Sequence, residues 1–171
     1  GAGSPGQWFG LFATRHMHLN GLTQEHLGHV CTSFYEHAQR NPKAFFYGKP
    51  LTMEEYMKTA HLSSPFTKHD YCLESDEANA IIVTSTERAK DCKSVPVKIL
   101  GMAAREVVSH AHYWKNIDEV AADYVAPQLY KAAGVSPEDI KVASIYDCFS
   151  WVVLRQLEAY GLAPKGEVGD F

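Results

Sequence analysis

Residues 149–160 read FSWVVLRQLEAY, a helical stretch in which Trp151, Val152, Val153, Leu154 and Leu157 cover most of the circumference. A helix with one apolar stripe rides on a surface, whereas a helix apolar on most sides is buried among other elements. The chain must therefore enclose this helix, which closes at Gly161. The residues before it, IKVASIY (140–146), form an apolar, β-branched run and are expected to be a strand. Ser136-Pro137-Glu138-Asp139 precedes them as a single helical turn, with a cap, a proline in the first turn and acids at the positive dipole end. At the junction, Tyr146 is expected to end the strand, Asp147 to cap the helix and Cys148 to lie in its first turn.

Elsewhere the pattern divides near Asp76. Before it, residues 8–20 recur at helical spacing through Trp8, Leu11, Phe12 and Arg15, and Asn20-Gly21 closes them. Thr23 caps a second helix from Gln24 to about Gln39, with Leu27, Val30, Cys31, Phe34 and Ala38 on one face, and Asn41-Pro42 stops it. The capping box Thr52-Met53-Glu54-Glu55 starts a third. Residues 61–76 are irregular, and the first 75 residues show no convincing strand. After Asp76, ANAIIVTS (78–85) is fit for a buried strand, TERAKDC (86–92) for a short helix and PVKILGMAAR (96–105) for another strand. This alternation predicts an α/β fold. Residues 106–115 are ambiguous between strand and linker. A helix is expected from Asn116 or Asp118 to Ala133, kinked or divided at Pro127, with Gly134 as its cap.

The composition sets bounds on function. With 46% hydrophobic and 21% charged residues, the chain has enough apolar material for a core. A net charge of −4, without a run of Lys or Arg, argues against nucleic acid as a partner. No apolar run reaches the roughly 20 residues that span a bilayer, and GAGSPGQWFG lacks the basic-then-apolar order of a signal peptide. Cys31, Cys72, Cys92 and Cys148 form no CxxC pair and are expected to be reduced, mostly buried thiols of a cytoplasmic protein. His16/His18 and His110/His112 have no carboxylate or cysteine at ligand spacing, so no metal is expected.

Three readings of Tyr146-Asp147-Cys148 stand side by side. The tyrosine packs, the aspartate caps and the cysteine fills space; or Tyr146 is an acid/base; or Cys148 is a nucleophile. A phenol of pKa near 10 gives a proton or hydrogen bond readily but needs positive neighbours or a helix dipole to act as a base. A nucleophilic thiol needs a nearby base, and no histidine lies close in sequence.

RHMHLNGLTQEHLGHV, AQRNPKAFFYGKPLTMEEY, DYCLESDEANAIIVTSTERAKD and AAGVSPEDIKVASIYDCFSWVVLRQLEAYGLAPKGEVGDF follow one another along the chain. Together they resemble the thiolase superfamily, in its sterol-carrier/lipid-transfer-protein-like branch. The resemblance implies a partial thiolase-like α/β fold: a helical loop domain over 1–75, the end of the N-terminal half-domain over 76–115 and the start of the C-terminal half-domain over 116–171. The family pattern runs beyond the chain at both ends, so a fragment is expected. Tyr146-Asp147-Cys148-Phe149 stands where sterol-carrier thiolases carry His-Asp-Cys-Phe. A tyrosine there resembles steroid side-chain aldolases, which cleave a β-hydroxyacyl-CoA by a retro-aldol step.

The resemblance implies an acyl-CoA carbon–carbon lyase with Tyr146 as the catalytic acid/base and Asp147 as a cap or orienting group. It places Cys148 at a position that is not the nucleophile. A thiolase-type acyltransferase and a non-catalytic lipid or acyl-CoA carrier subunit are the alternatives. No covalently bound cofactor is implied; coenzyme A enters as part of the substrate. A homodimer with a small OB-fold acyl-CoA-binding partner is implied. Trp8, Phe9, Phe12, Phe45, Phe46 and Tyr47 are candidates to line an apolar cleft or to form core, and Arg15, Lys43 and Lys49 to meet phosphates or solvent. The sequence departs from the family pattern at Glu77, at Asn79 and at Glu167-Val168-Gly169. Valine takes a positive φ only at a cost.

Overall fold

The computed structural model of the chain describes residues 2–105 and 119–171. The N-terminal helix α1 (Pro5–Asn20) begins three residues earlier than its apolar period suggests. Pro5 supplies a preset φ at the first helical position, and the Gln7 side chain accepts the backbone N–H groups of Gly3 (2.7 Å) and Ser4 (3.2 Å). Gly21, at φ 68°, ends it in the left-handed region as the sequence predicts. Helix α2 (Gln24–Gln39) follows, then α3 (Met53–Lys58), whose capping box is formed in both directions between Thr52 and Glu55. Such a cap contributes about 1 kcal/mol. Gly28 lets α2 approach α3: a Cβ there would stand 2.6 Å from Met53 Sδ and 2.7 Å from Tyr56.

The first 75 residues do contain β-structure. Strands β1 (His61–Ser63) and β2 (Phe66–Thr67) form a short antiparallel hairpin, followed by a 3-10 turn at Lys68–Asp70. Two- and three-residue strands carry no periodicity that a sequence window can detect.

The three runs expected to be strands are not paired among the described residues. Residues 78–85, which lead into the short helix α4 (Thr86–Ala89), and residues 96–105 and 140–146 form no ladder among the described residues. Ile82 is 95% exposed, Val97 92% and Val142 88%. β-Branched composition suits a pleated, buried surface, but neighbouring strands create that surface. Helix α5 (Ala121–Ala133) runs through Pro127 as one element and ends at Gly134, φ 69°. It begins at Ala121, after an extended Val120 (φ −121°, ψ 161°) whose N–H donates to the Asp123 carboxylate at 2.8 Å; the expected start at Asn116 or Asp118 lies outside the described residues. The readings of 106–115 and of His110/His112 lie outside the described residues.

Helix α6 (Ser150–Ala159) is enclosed as its sequence requires. Trp151, Val153 and Leu154 are buried, and the core around them includes Phe12, Leu27, Tyr56, Phe66 and Phe149. Phe149 is stacked between Phe9 (4.8 Å) and Phe66 (5.1 Å), with Tyr71 edge-on at 5.0 Å. Polar groups cross the same core. Arg155 grips the Asp123 carboxylate of α5, and Glu158 accepts from His16 of α1 and from Gly166 N–H. Near the terminus, Gly166 takes the left-handed conformation (φ 85°) and Val168 is buried, so the valine departure needs no positive φ. Among the described residues no helix is long and apolar enough to cross a membrane.

Candidate active site

The site forms where two distant segments cross. Tyr71 and Phe149 make an isolated antiparallel bridge, and Cys72 N–H donates to the Cys148 carbonyl at 3.2 Å. This crossing, and not a strand, holds Tyr146-Asp147-Cys148 in place. Beneath it lies Asp70, 2% exposed. Its Oδ2 accepts the Thr67 N–H (2.7 Å) and hydroxyl (2.8 Å). Its Oδ1 accepts the Tyr56 hydroxyl (2.9 Å), the Ser150 hydroxyl (2.5 Å) and, weakly, the Cys31 thiol (3.5 Å). A buried carboxylate is tolerated only when its lone pairs are satisfied in this way. Ser150 opens α6, so Asp70 fastens that helix end to the turn that carries Tyr71 and Cys72.

Above the crossing opens a cavity of about 510 Å³, within the range of small-molecule sites. Tyr35, His69, Cys72, Tyr146 and Asp147 are among its lining residues. A second cavity, about 550 Å³, shares Tyr35, Phe46, His69 and Leu73 with the first and adds Lys49 and Lys68. Tyr146 is 70% exposed on the wall of the first cavity. The Cys72 thiol beside it pushes the phenol pKa up, and the charges that Cys72, Cys148 and Asp147 can carry push the same way. The group is therefore a neutral proton donor. The positive neighbours that would turn it into a base are not what surrounds it.

Asp147 does not cap α6. The helix begins at Ser150 with Phe149 at the cap position, and Asp147 stands exposed two residues further out. The reason is the bridge to Tyr71, which keeps Phe149 in extended conformation (φ −142°, ψ 146°) and delays the first helical turn. Cys148 consequently lies before the helix. Burial pushes its thiol pKa up, the opposite of what an activated nucleophile needs. Of the four cysteines only Cys31 is buried; Cys72 and Cys92 are exposed, contrary to the expectation from composition.

His69 and Tyr35 escaped sequence reasoning. Tyr35 Oη and His69 Nδ1 are 3.1 Å apart, with their rings edge-to-face at 5.6 Å. Burial lowers the His69 pKa, as does Lys68, against smaller opposing effects of Asp70 and Glu55. Thr67-Lys68-His69-Asp70 has the spacing of a capping box and was legible as one. Its docking to Ser150, 80 residues away, was not. Of the aromatic candidates, Phe46 lines both cavities, Phe9 and Phe12 pack in or against the core, and Phe45 and Tyr47 are exposed. Lys49 lines the second cavity and sits 4.3 Å over the Phe45 ring.

The fold is thiolase-like. Residues 103–171 match the model described as "Thiolase C-terminal domain-like". The solved structure described as "Ltp2-ChsH2(DUF35) aldolase" superposes with a TM-score of 0.89 at 36% identity, over 100% of this chain and 46% of that one. More particularly, the chain is similar to steroid-degrading relatives of that class. It is 38% identical to a "Steroid side-chain-cleaving aldolase" of Thermomonospora curvata, over 100% of this chain and 45% of the relative. It is 37% identical to a "17-hydroxy-3-oxo-4-pregnene-20-carboxyl-CoA lyase" of Mycobacterium tuberculosis, over 100% and 46%. The chain thus spans about half the length of these relatives. Its resemblance to the steroid side-chain aldolase type of the thiolase superfamily holds along its whole length.

Proposed function

We propose that the protein carrying this chain is an acyl-CoA carbon–carbon lyase. It cleaves a β-hydroxyacyl-CoA thioester on a steroid or lipid side chain by a retro-aldol step, with Tyr146 as an acid/base group and Asp147 orienting it. The observation that supports this reading is Tyr146 standing exposed on the wall of the 510 Å³ cavity instead of packed into hydrocarbon. The names of the two steroid-degrading relatives supply the substrate class.

The reaction removes a proton from the β-hydroxyl, breaks the Cα–Cβ bond and leaves the electron pair as a thioester enolate, whose carbon regains a proton. A neutral phenol suits the proton-giving half. It returns the proton to carbon and holds oxygen by hydrogen bond before that. Donors aimed at the enolate oxygen are each worth roughly 3 kcal/mol of barrier. Lys49 and Lys68, in the adjoining cavity, offer positive charge to the phosphates of coenzyme A. The division at 75/76 and 115/116, a homodimer, a small OB-fold acyl-CoA-binding partner and a cytoplasmic setting complete the proposal.

Tyr146→Phe in the intact protein is the test. Cleavage of a β-hydroxyacyl-CoA is expected to fall by roughly 10²-fold or more while acyl-CoA binding persists. Full cleavage by the variant removes Tyr146 from the chemistry. Thiolytic acyl transfer without retro-aldol cleavage replaces the lyase by the acyltransferase.

A further inference from the structure

We infer that His69 is the proton acceptor of the same cavity, its Nε2 taking the β-hydroxyl proton while Tyr35 orients the ring through Nδ1. The inference rests on the lyase reading above. Tyr146 faces groups of acidic character and stays a neutral donor. Both Asp70 oxygens are filled by donors from Thr67, Tyr56 and Ser150. Cys31 is buried beside Asp70, which keeps it a thiol, and burial also holds Tyr35 protonated. Asp147 and Glu77 stand exposed at the cavity wall, whereas His69 is half-buried there.

His69 differs from all of them. It lines the Tyr146 cavity and the adjoining one, so it stands where the two spaces meet. Nδ1 is engaged by Tyr35, which leaves Nε2 for a ligand. The ring is held by Tyr35 edge-to-face and by Tyr56 at 6.3 Å. A base fixed by a hydrogen bond to its second ring nitrogen is the arrangement that proton abstraction by imidazole needs. In the tautomer that serves this step, Nδ1–H donates to the Tyr35 oxygen and Nε2 carries the lone pair.

The step balances. Nε2 takes the hydroxyl proton as the oxygen's electrons close the new carbonyl. The Cα–Cβ pair moves into the thioester enolate. Tyr146 gives its proton to Cα, and the imidazolium proton restores the phenol, so neither group is consumed.

The experiment measures cleavage of a β-hydroxyacyl-CoA steroid thioester by the intact protein carrying His69→Gln, His69→Ala, Tyr35→Phe or Tyr146→Phe, across pH. For the His69 variants kcat is expected to fall by about 10²- to 10⁴-fold with KM little changed. The acid limb of the kcat/KM profile is expected to lie below the ordinary histidine value and to vanish with the ring. The groups that set it are Lys68, Asp70 and Glu55 by charge, with Tyr35 and Cys31 packed beside them. Added imidazole is expected to restore part of the His69→Ala rate. Tyr35→Phe is expected to lower kcat less than loss of the ring does. Wild-type kcat in both His69 variants overturns the inference, as does an unchanged acid limb without imidazole rescue. If those results come with an inactive Tyr146→Phe, only His69 is lost. If the wild-type protein does not cleave the thioester, the lyase reading falls and this inference with it.

Discussion

The indole N–H of Trp151 donates to Nδ1 of His16 across 3.1 Å, deep in the contact between α6 and α1. Indole has only a donor, so Nδ1 must be the acceptor. The ring hydrogen then sits on Nε2, which donates to Glu158 Oε2 at 2.9 Å. Glu158 Oε1 accepts the Gly166 N–H at 3.0 Å, which fastens the C-terminal segment to the same helix. One histidine, neutral and of fixed tautomer, thereby joins α1, α6 and the tail.

Replacing Trp151 by Phe keeps most of the ring and removes the donor. His16 Nδ1 is then left buried and unmet. A loss of about 1–3 kcal/mol is expected, measured by urea unfolding. A loss no larger than that of an exposed substitution would show that the indole bond contributes nothing.

Glu158→Ala removes the partner of a buried histidine and one of the carboxylates facing Arg155. Breaking a buried pair of this kind costs about 3–5 kcal/mol. Equilibrium unfolding should register this as a lower midpoint with an unchanged denaturant slope.

The same residue sets an acid limit. Burial would raise the Glu158 pKa, but the hydrogen bond from His16, the Gly166 N–H and the Arg155 guanidinium together bring it below its ordinary value of 4.5. A carboxyl depressed in the folded state contributes stability that is complete above the unfolded value. That stability is lost as pH falls through the folded value. Stability is therefore expected to be flat in this contribution down to about pH 5 and to fall below it. Glu158→Gln, already neutral, should fall less steeply.

At the other end of the scale stand Cys31 and Tyr56. Burial pushes both pKa values up, and Asp70 beside them adds to it. Groups raised in the folded state stabilise fully below their unfolded values. That contribution is lost as pH rises past about 9 for the thiol and 10 for the phenol. Iodoacetamide at neutral pH should label Cys72 and Cys92 in the folded protein and spare Cys31, as mass spectrometry of the labelled peptides would show.

Gly10 is a position of close approach. A Cβ there would meet the Ser64 carbonyl oxygen at 2.7 Å, and a backbone atom cannot swing aside. Gly10→Ala is expected to cost about 1–3 kcal/mol by forcing α1 off the β1–β2 hairpin. Helix propensity alone predicts the opposite sign. A melting temperature above wild type would show that the hairpin yields.

The helices were legible because their signals are local. Thr23, Thr52 with Glu55, and the glycines at 21, 134 and 161 act within one turn of themselves, and α6 declared its burial through its own circumference. Tyr146 was legible as a reactive type at a junction. Where Asp147 stands was not, because a bridge from Tyr71 moves the helix start.

Residues 78–85 and 140–146 show the limit from the other side: their composition fits a strand, but a strand is completed by neighbours far along the chain. The sequence by itself therefore determined which segments are helices, where the glycine-capped ones end and the chemical types available at residues 146–148. Only the tertiary structure decided that Asp70 would be sealed beneath that junction and that Tyr35, His69 and Tyr146 would face one cavity. Those meetings join residues more than 30 positions apart, and no property of either partner alone encodes them.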